Sequence, residues 1–121
     1  MIDHYDAGNI FARILRKELP CHVVQETEHT LTFQDIHPSA PIHWLMIPKG
    51  AYRTAGDFFA NASDAEILDW SHSLATLIQR HGLEEPGYRC TTNAGAFGQQ
   101  DVPHFHLHIL SDALKTPCER P

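Results

Sequence analysis

Cysteine is scarce and poorly placed for cross-linking. Cys21, Cys90 and Cys118 are odd in number, widely separated and form no Cys-x-x-Cys pair. That argues against a disulfide framework or a thiolate zinc site and suits a reducing compartment. Long apolar runs are missing as well, the longest being a few residues where a membrane span needs about twenty. The opening "MIDHYDAGNI" is acidic and has no apolar h-region, so no secretory signal is read there. Positive charge is in deficit: 9 Lys and Arg stand against 15 Asp and Glu, for a net charge of −6. This excludes the extended basic face of a general nucleic-acid or membrane-surface binder. A small anionic ligand is not excluded, because histidines and backbone amides hold phosphate inside acidic proteins. Repeats, low-complexity tracts and linkers are also absent. The 121 residues, 42% hydrophobic, therefore fit a single domain over 1–121 with a modest core, expected in the cytoplasm.

Histidine, by contrast, is abundant at ten residues, and three of them alternate in "PHFHLHIL" (Pro103–Leu110). At that frequency, chance supplies about 0.07 such His-x-His-x-His patterns in a chain of this length. A strand alternates its faces, so His104, His106 and His108 are expected on one side and Phe105, Leu107 and Ile109 in the layer beneath the helices. The outer two histidines would then stand roughly 13 Å apart, too far to share one metal ion with Zn–N bonds of about 2.1 Å. A neighbouring His-x-His pair with a ligand from elsewhere stays open as a metal site. A phosphate chain spread along the row suits it better, because one neutral imidazole can attack phosphorus while its neighbour donates a hydrogen bond or proton.

The rest of the chain reads as α-β-β-β-α-β-β. "NIFARILRKELP" (Asn9–Pro20) has an Asn9 cap, an apolar face of Ile10, Ile14 and Leu15, and a proline stop, which predicts a short helix. His22–Glu26 and Thr30–Asp35 predict a hairpin, and Ile42–Ile47 a buried strand. The 48–62 stretch reads as irregular with one helical turn. Ser63-x-x-Glu66 opens the long helix, with Ile67, Trp70, Leu74, Leu77 and Ile78 on its buried face and Gly82 as its stop. Tyr88–Asn93 is a further strand, and the loop "AGAFGQQDV" leads into the histidines. The expected class is α+β, a five-stranded, mainly antiparallel sheet with two helices.

These residues resemble the histidine triad (HIT) family, whose signature is His-φ-His-φ-His-φ-φ with φ apolar; "HFHLHIL" (His104–Leu110) matches at every position. "IFARILRKELP", "FQDIHPSAPIHWLMIPK" and "NAGAFGQQDVPH" resemble further family blocks in order, so the likeness covers about residues 9–110, with a tail over 111–121. The opening block is most similar to the Hint-type nucleoside phosphoramidases, rather than the dinucleoside polyphosphate hydrolases. The resemblance implies a HIT-like fold extended to ten strands in a homodimer, and Trp70, Leu74, Leu77 and Tyr88 offer apolar surface compatible with that. It implies His106 as the nucleophile forming a nucleotidyl-histidine intermediate, and His108 as a donor to the phosphoryl oxygens. His104 and His43 would form a supporting pair that orients the nucleophile. Asn93 and the Gln100, Asp101 and Val102 backbone would cradle phosphate, and Asp35 would accept the ribose hydroxyls. Phe33, Ile36, Ile10 and Phe11 would wall a purine pocket. No cofactor or metal is implied; the partner is a small purine nucleotide, not nucleic acid or membrane.

Two departures stand out. Asp101 occupies the place of a serine that donates a hydrogen bond toward the leaving group, and an ionised carboxylate there repels phosphate. The tail "SDALKTPCERP" lacks the Gly-Gly and Trp-Pro ending of close relatives. Three readings therefore remain: a nucleotidyl hydrolase, a purine-nucleotide regulatory protein with weak activity, and a His-x-His metal protein.

Overall fold

The computed structural model describes residues 5–113. The tail from 114 onward, Cys118 and His4 lie outside them. The elements in chain order are α1 (Ile10–Leu15), β1 (Val23–Glu26), β2 (Thr30–Gln34), β3 (Ile42–Pro48), α2 (Ala55–Asn61), α3 (Asp64–Arg80), β4 (Arg89–Thr91), α4 (Gly95–Gly98) and β5 (Leu107–Ser111). The five strands form one sheet in the order β1-β2-β3-β5-β4. All four pairings are antiparallel. The expected α+β class and sheet stand; the described residues hold four helical segments where two were expected. No described helix is long and apolar enough to cross a membrane.

The two unexpected helices have local causes. Thr54 caps α2 by accepting from the Asp57 amide at 3.0 Å, converting part of the 48–62 stretch into seven helical residues. α4 is a single turn within the glycine loop, closed by Gln99 in the left-handed region. α1 is shorter than its apolar pattern, ending at Leu15 rather than running toward Pro20. Lys17 turns left-handed (φ 63°) and Glu18 N–H bonds back to Arg13 O at 2.9 Å, which closes the helix before the proline is reached. α3 keeps its predicted capping box between Ser63 and Glu66 and its Gly82 stop at φ +63°.

The sheet separates two apolar layers. Under α2 and α3 lie Trp44, Met46, Phe58, Trp70, Leu77, Ile78, Phe105 and Ile109, with Ile67, Leu74 and Leu107 packed against them. The predicted inward face of the histidine segment is thus real. Trp70 and Leu77 are spent in this core, so they offer no surface to a second copy. Asp69 ties α3 to the β1–β2 hairpin, its carboxylate accepting from Thr27 Oγ1 (2.6 Å), Thr30 Oγ1 (2.9 Å) and His29 N (3.1 Å).

The opposite layer holds Phe11, Leu31, Phe33, Leu45 and Ile47, with α1 laid across it. In the β3–β5 register Leu45 faces His108, so His43, two residues before Leu45, rises on the same side as the histidines. This layer is not an open solvent face: His104 and His106 are buried. Only His108 lies in a regular strand, because β5 begins at Leu107. Upstream the chain bends at Pro103, His104 N–H bonds to Val102 O (2.8 Å), and Phe105 N–H bonds to Tyr52 O (2.8 Å) instead of a ladder partner.

His104 is part of the interior. Its Nε2 donates to Pro48 O at 2.9 Å, and burial, followed by the positive charge available at His106, holds its pKa down to about 4 despite that hydrogen bond. The native ring is therefore neutral at pH 5, where the unfolded ring, with a pKa near 6.5, binds a proton. Stability from this residue is complete above pH 6.5 and falls as pH drops toward 4, by about 3 kcal/mol over the whole window. Urea unfolding at pH 7 and pH 4.5 will show this decline, and His104→Gln, if folded, will lower proton uptake on unfolding at pH 5 by about one. An equal uptake in both proteins would refute it.

Candidate active site

Three backbone groups whose hydrogen-bonding roles cannot change set the protonation pattern of four histidines. The Ser39 amide can only donate, and it donates to His43 Nδ1 at 3.0 Å. A neutral His43 therefore carries its proton on Nε2, which stands 2.9 Å from His108 Nδ1 and 3.4 Å from Asp35 Oδ2. His108 Nδ1 consequently accepts, and its proton lies on Nε2. The second backbone group, Pro48 O, can only accept, so His104 also carries its proton on Nε2. The third, His104 O, takes the Nδ1 proton of His106 at 2.7 Å. The neutral His106 ring is left with a lone pair on Nε2.

The result is one ring presenting a lone pair and its neighbour presenting an N–H, with the two ring centres 5.1 Å apart. Burial, then the charges available at His106 and His43, lowers the His108 pKa, outweighing Asp35 and Asp101, which pull the other way. Phe11 holds His106 edge-on at 4.9 Å and packs on Phe33 at 5.7 Å. Thr92 Oγ1 donates to His106 O at 2.8 Å, holding the chain just ahead of β5.

One sequence expectation is corrected. His43 does not pair with His104; it pairs with His108, because the β3–β5 register sets it beside that ring, while His104 is turned down toward Pro48. Around the core the predicted residues divide. Asp35 is brought in at His43, with its other oxygen accepting the His37 amide at 2.8 Å. Phe11 and Phe33 are buried beside the row, whereas Ile10 (48% exposed) and Ile36 (77%) stand outside it. The Gln100 side chain is a brace: it donates to Arg53 O (2.7 Å) and Val102 O (3.0 Å) and accepts from the Gly95 amide (3.3 Å). Its own amide is taken by Gly95 O (3.1 Å), so the expected cradle narrows to Asp101 and Val102. Val102 packs against the inner layer. Asn93 is half-buried under Gly98, where an added Cβ would come within 3.3 Å of the Asn93 backbone. Asp101 is 85% exposed, with Oδ1 3.9 Å from His106 Nε2.

Ser39, Pro48 and Tyr5 were missed by sequence reasoning. The first two act through the backbone, which leaves no side-chain signal. Tyr5 bonds to His104 Nδ1 from the N-terminal segment, far from the motif in sequence.

Asp35, His43 and His108 also bring three donor atoms within 4.8 Å of one another, a cluster that invites a metal reading. The tautomers oppose it. For His43 Nε2 to bind a cation, its proton would have to move to Nδ1, directly against the Ser39 N–H. His108 is fixed in turn by His43. As arranged, these residues do not fit a resident ion, and the same ground opposes a His-x-His pair that uses His108.

The chain is similar to proteins of one family. The family model for the HIT domain matches residues 16–113. An uncharacterized HIT-like protein of Azospirillum brasilense is 49% identical over 92% of this chain and 91% of its own length. The purine nucleoside phosphoramidase of Escherichia coli is 35% identical, covering 84% of each chain, and a 14 kDa zinc-binding protein of Zea mays is 40% identical over 87% of this chain and 82% of its own. Among solved structures, a HIT family hydrolase from Legionella pneumophila superposes with a TM-score of 0.74 at 41% identity, covering 86% of this chain and 92% of that one. With a matching family model, a shared fold and the histidine row in place, this chain belongs to the HIT family.

Proposed function

We propose that the protein is a hydrolase of nucleoside phosphoramidates or related nucleotide esters, working through a nucleotidyl-His106 intermediate. The observation that carries this reading is the fixed pairing of a lone pair on His106 Nε2 with an N–H on His108 Nε2, and the Escherichia coli relative's phosphoramidase name supports the substrate class. In the first step His106 Nε2 attacks the α-phosphorus, the bond to the leaving group breaks, and the leaving amine takes a proton from solvent. His108 Nε2–H and the amides of Asp101 and Val102 donate to the phosphoryl oxygens as charge develops. Water then attacks phosphorus and gives up a proton to solvent, the P–N bond breaks, and His106 regains its lone pair. Asp35 accepts from the ribose hydroxyls, and Phe11 and Phe33 with Ile10 and Ile36 form the base end of the site.

Assembly as a homodimer through β4 belongs to the same proposal, as does a cytoplasmic location. β4 is an exposed sheet edge, and Tyr88 (39%) and Leu68 (57%) are exposed apolar residues. A second reading, nucleotide binding with weak turnover, draws on Asp101, whose charge faces the place phosphate would take.

Comparing kcat/KM for adenosine phosphoramidate, diadenosine polyphosphates and dinucleotide sugars separates these readings. His106→Ala is expected to abolish turnover and the acid-labile nucleotide adduct while nucleotide binding persists. A variant with near wild-type kcat would remove the covalent mechanism.

Asp101→Ser is expected to raise kcat/KM for phosphoramidates with neutral leaving amines by about fivefold, since unit charges about 4 Å apart in water interact by about 1 kcal/mol. The gain will shrink at 1 M salt, where screening acts over about 3 Å. A loss of activity at both ionic strengths would show that the carboxylate works for the reaction.

A further inference from the structure

The N-terminal segment ahead of the matched HIT region reaches His104, the first histidine of the row. Asp6–Asn9 forms a turn fastened to α1: Asn9 Nδ2 donates to Asp6 O (2.7 Å), Asn9 Oδ1 accepts from Ala12 N (2.9 Å), and Arg16 donates to Ala7 O (2.8 Å). This anchoring sets Tyr5 over His104, ring centres 5.5 Å apart and nearly perpendicular, with the phenol oxygen bonded to His104 Nδ1. His104 is wholly buried and has spent its Nε2 proton on Pro48 O, so its Nδ1 is a lone pair with no access to water. A buried acceptor in that position is costly to leave unpaired. Partial burial raises the Tyr5 pKa, so the phenol stays protonated and acts as the donor.

We propose that Tyr5 is a positioning residue of the catalytic row: its O–H fixes the His104 ring, and through the His104 carbonyl it fixes the orientation of His106. The path has three links. Tyr5 O–H holds His104 Nδ1, Pro48 O holds His104 Nε2, and His104 O holds His106 Nδ1 at 2.7 Å. With the ring pinned at both nitrogens, the His104 peptide cannot swing, and the His106 lone pair keeps its direction. Loss of the phenol oxygen leaves the His104 ring held by Pro48 O alone, with Phe11, which contacts both rings, as an apolar guide. The inference rests on the proposed role of His106, but its structural half can be read without any substrate.

Tyr5→Phe keeps the ring packing and removes only the hydroxyl. The single-turnover rate of nucleotide transfer to His106 is expected to fall about tenfold, the size of one hydrogen bond's net contribution, with the Kd for AMP unchanged. Histidine side-chain ¹H–¹⁵N spectra will show His104 Nε2–H and His106 Nδ1–H in the wild type, and in Tyr5→Phe the shifts will change at His106 as well as at His104. A transfer rate within twofold of wild type, or spectral change confined to His104, would overturn the role. If the wild-type protein transfers no nucleotide, the proposed function fails, and the His106 spectrum still decides the positioning claim. Tyr5→Ala serves as a control: a drop in Tm with an unchanged His106 spectrum would mark Tyr5 as packing alone.

Discussion

Everything in the site depends on backbone groups that cannot exchange roles. An imidazole is ambiguous, since either nitrogen can hold its proton, and four adjacent imidazoles could share protons in many ways. A peptide N–H or C=O has one role only. Ser39 N–H, Pro48 O and His104 O each meet one ring nitrogen and remove that freedom. Two rings, His106 and His108, then take complementary forms. No charged partner is needed for this, which suits His104 and His108, whose pKa values burial lowers.

The fold exists to bring those three peptide groups together. Pro48 ends β3, Ser39 lies in the turn that precedes the same strand, and His104 leads into β5, its neighbour in the sheet. One strand thus contributes an anchor at each end, and antiparallel pairing sets β5 in register between them. The bend at Pro103 is equally necessary. A regular strand from Pro103 onward would place the His104 carbonyl in the ladder, paired across the sheet, and His106 Nδ1 would have no acceptor. The departure from a plain strand is what makes three alternate histidines into unlike ones.

Much of this was legible before any coordinates. The α+β class, the hairpin, β3, the capping box of α3 and the inward face of Phe105, Leu107 and Ile109 follow from periodicity and caps. The His row and its likeness to the HIT signature pointed to the site. What stayed hidden has a common physical origin: it is made by the backbone or by distant chain segments. Thr54 capping produced α2 without an apolar period to announce it, and a left-handed Lys17 cut α1 short of its pattern. The His43–His108 pairing depends on strand register, which residue spacing within one segment cannot supply. Trp70 and Leu77 illustrate the reverse error, in which a helix face seems too apolar for one domain until a second layer of aromatic residues, Phe58 and Phe105, is found against it.

The arrangement also separates what must be rigid from what can vary. His104 and His106 are buried, and each is held by groups that permit one orientation, so substitutions near them disturb geometry and chemistry together. Asp101 is different. It stands 3.9 Å from His106 Nε2 but is 85% exposed, on a loop whose shape is set by Gln100 and Gly98 rather than by its own side chain. Changing it alters the charge met by an arriving or departing group without touching any anchor of the row. A carboxylate here therefore costs the protein little in stability, while under the proposed function it bears on the charge of the ligand. In such a site, electrostatic selectivity can drift at the rim while the proton pattern beneath it stays fixed, and differences in substrate preference should be sought first at that loop.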